Sequence, residues 1–512
     1  MPNPNELLAR SLERIQTEQN RGVVRAEALG RTHTSRLLKA GFIKPIINGW
    51  YYLSDPADQQ GRTTWFTVYW SFLRQYLPER FGAQYCLSAR QSLLLHTGST
   101  VVPEQLIVIT KQAVSQKIDL IEGVSLLMYH EKSGFPEQFA ELNGVQCMNL
   151  ADALVRIPES FFQTNPNDAA IGLQLIQDAG ELIGILLEGG RSHIAGRLAG
   201  AFRHVGMYAV TERILTTMRD VGYDVRESNP FERPVIVFGD IRPRSPYAAR
   251  LRSLWGVYRE QVAATAPAKC GPVQDFDHVI AQIENAYQRD AYHSLSIEGY
   301  HVTDDLIFRV RQGDCNPAAS NYDKNQEDAL AARGYYEAFT SVRESIEHIL
   351  TGAEPADLLR KEHHAWHRAL SGPAMRAGIV SAVGLSGYRN QPVYIRGSRH
   401  VPFPSTAVPD AMEALFSLLK EERDVWVRAV LGHFCFVYIH PYHDGNGRLG
   451  RFLMNVLLVA GGYPWTVIEL QTRTRYMSGL ESASAGGDAL PIAEFISECV
   501  AETIRSLDLT NQ

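Results

Sequence analysis

The sequence predicts a mainly α chain, with a helical bundle in its second half and a smaller mixed region ahead of it. Two observations carry this. From Phe276 onward most segments repeat apolar residues at helical spacing, as in "NQEDALAARGYYEAFTSVRESIEHIL" and "PDAMEALFSLLKEE". Strand-like runs such as "QLIVIT" and the hairpin dipeptide Asn48-Gly49 are concentrated in the first 225 residues. At 512 residues the chain exceeds what one core holds, so two or three domains are expected.

Residues 1–60 read as helix, turn, helix, then hairpin. Leu7, Leu8, Leu12 and Ile15 have helical spacing, and Gly30 stops the next short helix. "THTSRLLKAGF" carries an N-cap threonine and a terminating Gly41. "IKPIINGWYYL" places two short strands around Asn48-Gly49. This is the order of a winged helix-turn-helix. Eight basic side chains (Arg10, Arg14, Arg21, Arg25, Arg31, Arg36, Lys39 and Lys44) face four glutamates, an excess suited to phosphate contacts. DNA is the expected partner here, and protein contact is the alternative.

Residues 61–225 read as a mixed α/β domain without a catalytic constellation. The order "GWYYLSDP", "YCLSARQSLLLHTG", "PEQLIVIT" resembles antitoxin-type regulators of the abortive-infection kind, which implies a winged helix followed by an α/β domain. Residues 226–275 are richer in proline and read as a connector enclosing the helix "AARLRSLWGVYREQV". Residues 276–505 form the helical bundle, interrupted by "GLSGYRNQPVYIRGSRHVPFP", which reads as a hairpin.

The net charge of −6 and pI near 6.3 exclude a chain that is basic overall. Six cysteines, Cys86, Cys147, Cys270, Cys315, Cys435 and Cys499, are far apart and form no CxxC pair. The N-terminus lacks an apolar core of signal-peptide length, and no apolar run spans a bilayer, so a cytoplasmic protein is expected.

The chemistry is concentrated in "HPYHDGNGRLGR", His440 to Arg451. Pro441 ends the apolar helix before it, and a second helix begins near Gly447. Glycines feeding a helix N-terminus make an anion nest, where N–H groups and the helix dipole both favour phosphate. Arg448 and Arg451, three residues apart, can face the same side. Asp444 offers a hard oxygen for Mg²⁺ held with those phosphates, and Asn446 a hydrogen bond to phosphate. His440 can take a proton from an attacking hydroxyl. Zinc at His440, His443 and His433 would need converging ligands that no cysteine supplies. A plain turn explains Asp444 to Gly447 but not the arginines and His440. A P-loop is excluded, because G-x-x-x-x-G-K-[ST] is absent.

This segment resembles the motif of Fic-domain proteins, H-x-F-x-[D/E]-G-N-[G/K]-R-x-x-R, with Tyr442 in place of Phe. The resemblance extends over roughly residues 276–505. It implies a helical Fic bundle with a β-hairpin flap, and transfer of AMP from ATP to a Ser, Thr or Tyr hydroxyl of a target protein. Carried over by position, it implies His440 as base and Asp444 as Mg²⁺ ligand. Gly445, Asn446 and Gly447 would cradle the α-phosphate. Arg448 and Arg451, with Gly450 in the same arc, would bind the outer phosphates. Gly447 in place of Lys resembles the AMP-transferring members. Val393, Tyr394, Ile395 and Arg396 would line the flap that aligns the target as an added strand. Tyr476 matches a tyrosine beside the adenosine, while Met477 and Ser484 stand where many members carry an aromatic and an asparagine.

"HSLSIEGYHVT", His293 to Thr303, reads by itself as a helix end stopped by Gly299. Beside the first motif, Ser294, Glu298 and Gly299 match the family's inhibitory pattern, [S/T]-x-x-x-E-[G/N]. This implies an inhibitory helix near residues 285–299 whose Glu298 pairs with Arg451. The expected function is an autoinhibited protein adenylyltransferase. The alternatives are removal of AMP from a protein, with Glu298 positioning water, and a DNA-binding regulator whose Fic domain senses nucleotide.

Overall fold

The computed structural model describes residues 3–54, 56, 62–112, 114–131, 134–232, 235, 245–268, 276–313, 323–380 and 382–510. Cys270, Cys315 and parts of the 226–275 connector lie outside these residues. The chain separates into two compact units. One is Met1–Arg250 with Tyr394–Val401, and the other is Leu251–Val393 with Pro402–Gln512.

The first unit begins with α1 (Pro4–Glu18), β1 (Val23–Arg25), α2 (Ala26–Leu29), α3 (Arg31–Lys39), β2 (Ile43–Ile47) and β3 (Trp50–Leu53). The Asn3 side chain accepts from the Asn5 N–H and starts α1. The three strands form an antiparallel sheet in the order β1-β3-β2, and the β2–β3 connection is the Asn48-Gly49 turn, with Gly49 at φ +83°. Ile15, Val24, Leu29, Leu37 and Ile43 form a small core between helices and sheet. Arg36 donates to Leu7 O at 3.0 Å and to Ser11 Oγ at 2.8 Å, so it ties α3 to α1.

The remainder of this unit holds a second sheet in the order β4-β5-β7-β6, made of Tyr85–Leu87, Gln105–Thr110, Ser125–His130 and Ser115–Asp119. Its central pair, β5–β7, is parallel, and the outer pairings are antiparallel. Leu106, Val108, Leu126 and Met128 are buried on it. Beyond a small hairpin, β8 (Phe139–Leu142) and β9 (Val145–Met148), six short helices run from Leu150 to Asp220 around an aliphatic core. Two of them, Pro166–Gln174 and Ala179–Glu188, are apolar and meet at 109°. Among the described residues no single helix is long and apolar enough to cross a membrane.

The segment expected to be a β-hairpin is not one. Among the described residues of 384–404 the only bridge pairs His400 with Val101. A 3-10 turn covers Ala382–Leu385, and a tight turn closes from Ser398 N–H to Ile395 O at 3.1 Å, with Gly397 at φ +78°. Pro392, Gly397 and the serines supply turns where a hairpin needs two pairable strands. The end of the segment is fastened within the first unit instead. Val102 N–H donates to Arg399 O at 3.1 Å, and Arg399 pairs with Glu104 at 2.9 Å.

The second unit is helical. Its long helices are Phe276–Ile297, Asp323–Leu350, Pro355–Arg376, Val408–Glu421, Val425–Ile439, Asn446–Ala460 and Leu490–Thr510. Val425–Ile439 and Asn446–Ala460 are buried almost all round and form its centre. Small residues let the helices approach: a Cβ on Gly334 would stand 2.0 Å from Leu370 O, and one on Gly432 would stand 2.9 Å from Leu419 and Leu457. The loop that joins the two central helices is "HPYHDG", so the fold's most buried pair presents the motif.

Candidate active site

His440 caps the Val425–Ile439 helix in the left-handed region, at φ 55° and ψ 62°. A histidine there carries about 1–3 kcal/mol of backbone strain. Its surroundings hold it. His440 Nδ1 lies 3.1 Å from Val437 O, so in the neutral ring Nδ1 bears the proton and Nε2 keeps its lone pair. Burial lowers its pKa to about 4, against the Val437 bond and with help from the charge of Arg389. At neutral pH the ring is uncharged and its Nε2 is an acceptor.

Arg389 is the residue that sequence reasoning missed. It is 3% exposed, and among the described residues no carboxylate pairs with it. Its Nε donates to His440 O at 2.7 Å and Nη1 to Gln391 O at 3.2 Å, while Nη2 donates to Phe403 O and Ile439 O. Its own N–H donates to Pro441 O at 2.9 Å. Burial lowers its pKa to about 10, which still leaves it charged. One cation thus collects the carbonyls left over where the helix ends.

The loop closes on itself through Asn446. Its Oδ1 accepts from Tyr442 N–H at 2.9 Å, and its Nδ2 donates to Tyr442 O at 2.8 Å. Asn446 is therefore engaged in shaping the loop, where the sequence suggested a phosphate donor. The Tyr442 ring is fully buried, stacks on His367 with centroids 3.8 Å apart, and places its hydroxyl 2.9 Å from His364 Nδ1. This is the partner that the extra hydroxyl needs.

Gly445, at φ +84°, starts the Asn446–Ala460 helix. The first helical bond runs from Leu449 N–H to Gly445 O, so the N–H groups ahead of it have no helical partner. Gly447 lies among them, and a Cβ there would be 2.2 Å from Glu298 Oε1. The Glu298 carboxylate thus lies against the glycine at this helix N-terminus. Arg451 Nη2 donates to it at 2.8 Å and to Ser294 O at 3.0 Å, and Arg451 Nε donates to Ser294 Oγ at 2.8 Å. Arg448 pairs with Asp444 at 2.7 Å. Both arginines are 3% exposed, and among the described residues each keeps one buried nitrogen, Arg448 Nε and Arg451 Nη1, without a partner. Two unsatisfied guanidinium nitrogens at a helix N-terminus are suited to an anion with several oxygens.

The Asp444 side chain is 74% exposed while crowding by neighbouring atoms still partly desolvates the carboxyl, and Arg448 outweighs this and brings its pKa below the ordinary value. A single exposed carboxylate fits a Mg²⁺ ion that takes its other ligands from phosphate and water. Among the described residues no group of three His, Cys, Asp or Glu converges on a metal site. His443 is exposed, with Asn390 at 3.3 Å, and His433 is buried, 2.9 Å from the Tyr476 hydroxyl. Tyr476 is 1% exposed. Gly450 lets the two central helices meet, since a Cβ there would be 3.2 Å from His433 Nδ1. Of the flap residues, Val393 belongs to the second unit and Tyr394, Ile395 and Arg396 to the first.

The fold and site define a helical domain with a histidine acceptor beside a two-arginine anion nest. Residues 358–458 match the model of the Fic/DOC family, so the chain carries a Fic/DOC domain. It is similar to "Protein adenylyltransferase Fic" of Drosophila melanogaster, 28% identical over 225 residues, which are 43% of this chain and 42% of that protein. The protein of that name from Culex quinquefasciatus is 36% identical over 136 residues, 26% of each chain. The chain thus spans less than half the length of these curated relatives. Among solved structures it is similar to Fic-1 from C. elegans, with TM-score 0.38 and 18% identity, covering 68% of this chain and 99% of that one.

Arg389→Lys keeps the charge but not the fork. It should lower the free energy of unfolding by roughly 2–4 kcal/mol, the range for losing charge-assisted bonds to buried carbonyls. Urea denaturation checks this, and an unchanged midpoint would show that the carbonyls find other donors.

Proposed function

We propose that the protein transfers AMP from ATP to a hydroxyl of a protein side chain, as the names of its relatives suggest, and that Glu298 restrains it. The observation that carries this reading is the juxtaposition of a neutral His440 with the Gly447 nest and the two buried arginines. The target hydroxyl gives its proton to His440 Nε2 while its oxygen bonds to the α-phosphorus. The bond from that phosphorus to the bridging oxygen breaks, and pyrophosphate leaves. The helix N-terminus faces the α-phosphate, and Arg448 and Arg451 hold the outer phosphates, which keeps the leaving oxygen in line with the attacking one. Asp444 would hold Mg²⁺, which neutralises phosphate charge when bound.

In the resting chain Glu298 takes the place of a phosphate oxygen at Arg451. An arginine engaged by a carboxylate is less available to a phosphate. A cytoplasmic location is part of the same reading, since the four described cysteines are all free thiols.

A second reading concerns α3. Arg31, Thr32, Ser35 and Lys39 are exposed along it, and among the described residues Arg31 and Lys39 make no ion pair. We infer that this stripe, on a winged helix-turn-helix, contacts DNA phosphates.

Three outcomes are expected. With labelled ATP and Mg²⁺, Glu298→Gly should raise label transfer to protein at least about tenfold, some 1.4 kcal/mol of barrier. Arg451→Ala should not mimic it. Release of AMP from a labelled target by the wild type, without forward transfer by Glu298→Gly, would favour the reverse reaction. In the Glu298→Gly chain, His440→Ala should lower transfer by roughly two to four powers of ten, and undiminished labelling would remove His440 from the base role. Replacing Arg31 and Lys39 with alanine should weaken binding of a short DNA duplex and reduce its salt slope by about two. Fluorescence anisotropy at low and high salt checks this, and equal slopes would leave the stripe to protein contacts.

A further inference from the structure

The turn after Glu298 also reaches the other motif arginine. Gly299, at φ +96°, ends the Phe276–Ile297 helix, and Tyr300 N–H donates to Leu295 O at 3.2 Å. This six-to-one closure is a Schellman turn, which folds the chain back over the helix end. It sets the half-buried Tyr300 side chain against Arg448, whose guanidinium carbon lies over the ring, 5.1 Å from its centroid.

The geometry of a guanidinium decides what this contact does. All its N–H donors lie in its plane, and an aromatic ring takes its face. The Tyr300 ring, with its hydroxyl also close to Arg448, packs on this guanidinium without taking its Nε. Asp444 takes one edge, through Nη2 at 2.7 Å. Nε remains, buried and, among the described residues, without a partner. Ring and carboxylate together restrain Arg448, and Nε is left for an incoming oxygen.

We propose that Tyr300 is a positioning residue for polyphosphate binding, holding Arg448 through its ring so that the open Nε meets a phosphate. The 298–300 turn then has two opposed roles, since Glu298 occupies Arg451 and Tyr300 prepares Arg448. Removing the turn altogether is therefore not equivalent to removing Glu298. The proposal rests on the reading of residues 446–451 as a phosphate site, but not on AMP transfer.

The test is equilibrium binding of inorganic tripolyphosphate to the full chain carrying Glu298→Gly, by calorimetry. Adding Tyr300→Leu should weaken binding about fivefold, the factor that ~1 kcal/mol of cation–π attraction represents. Adding Tyr300→Phe should leave affinity within about twofold, since the ring face remains. A fluorinated phenylalanine at position 300 keeps the shape but not the negative face, and should behave like Tyr300→Leu. It decides the matter alone if the leucine variant fails to fold. The same pattern should appear in KM for ATP with kcat nearly constant. Unchanged or tighter binding by the leucine or fluorinated variants would overturn the proposal, because the ring would then be inert or a shield. Equal loss in the phenylalanine and leucine variants would move the role to the hydroxyl and also overturn it. Absence of tripolyphosphate binding by the Glu298→Gly chain would overturn the site and this role together. Affinities that move as expected without label transfer by any variant would overturn AMP transfer alone.

Discussion

Two buried guanidinium groups at the N-terminus of one helix form a concentration of positive charge that something must neutralise. Arg448, Arg451 and the N–H groups of Asn446 to Arg448, which precede the first helical bond, lie within the first two turns of helix. Leaving such charge unpaired in a desolvated place is more costly than most single contacts are stabilising. In the resting chain the anions are Glu298 and Asp444, each at hydrogen-bonding distance. The requirement for an anion precedes any ligand, and it explains why a helix end more than a hundred residues upstream is drawn to this spot. It also explains the glycine at 447, because only a residue without Cβ lets the Glu298 carboxylate approach so closely.

Strain and support are paired in the same loop. His440 occupies a backbone conformation that histidine seldom adopts, and the structure around it over-determines that state. Arg389 holds the carbonyls, Asn446 closes the turn behind, and Tyr442 is wedged among His364, His367 and Tyr388. The neighbouring histidines are kept neutral by burial, which lowers His363 to about 3 and His367 to about 4. A neutral bed under the loop avoids adding charge to a site already rich in cations.

Much of this was legible in the sequence where the signal is local. Helix ends at Gly30 and Gly299, the Asn48-Gly49 turn and the helices flanking residues 440–445 follow from short-range rules. The approach of Glu298 to Arg451 was legible only through the family resemblance, because no periodicity links residues 153 positions apart. Arg389 was not legible, since an arginine among glycine, proline and serine reads as solvated, and only the fold supplies the carbonyls around it. The bonds of Asn446 to the Tyr442 backbone were not legible either, because its donors and acceptor suit a loop as well as they suit phosphate. Arg36 counted toward a DNA-facing charge, yet it is engaged with α1. The expected hairpin at 384–404 failed because turn residues mark reversals but do not supply a partner strand.

The fastening of Arg399, His400 and Val401 to Thr100, Val102 and Glu104 has a practical side. The first unit is discontinuous in sequence: it takes eight residues from the middle of the region that makes up the second. A fragment starting at Leu251 would carry those residues without the backbone groups that receive them. Dissecting the protein for expression would therefore alter the chain immediately after Val393, even with every motif residue retained. Keeping both pieces in one polypeptide, or supplying residues 1–250 in trans, preserves that seam.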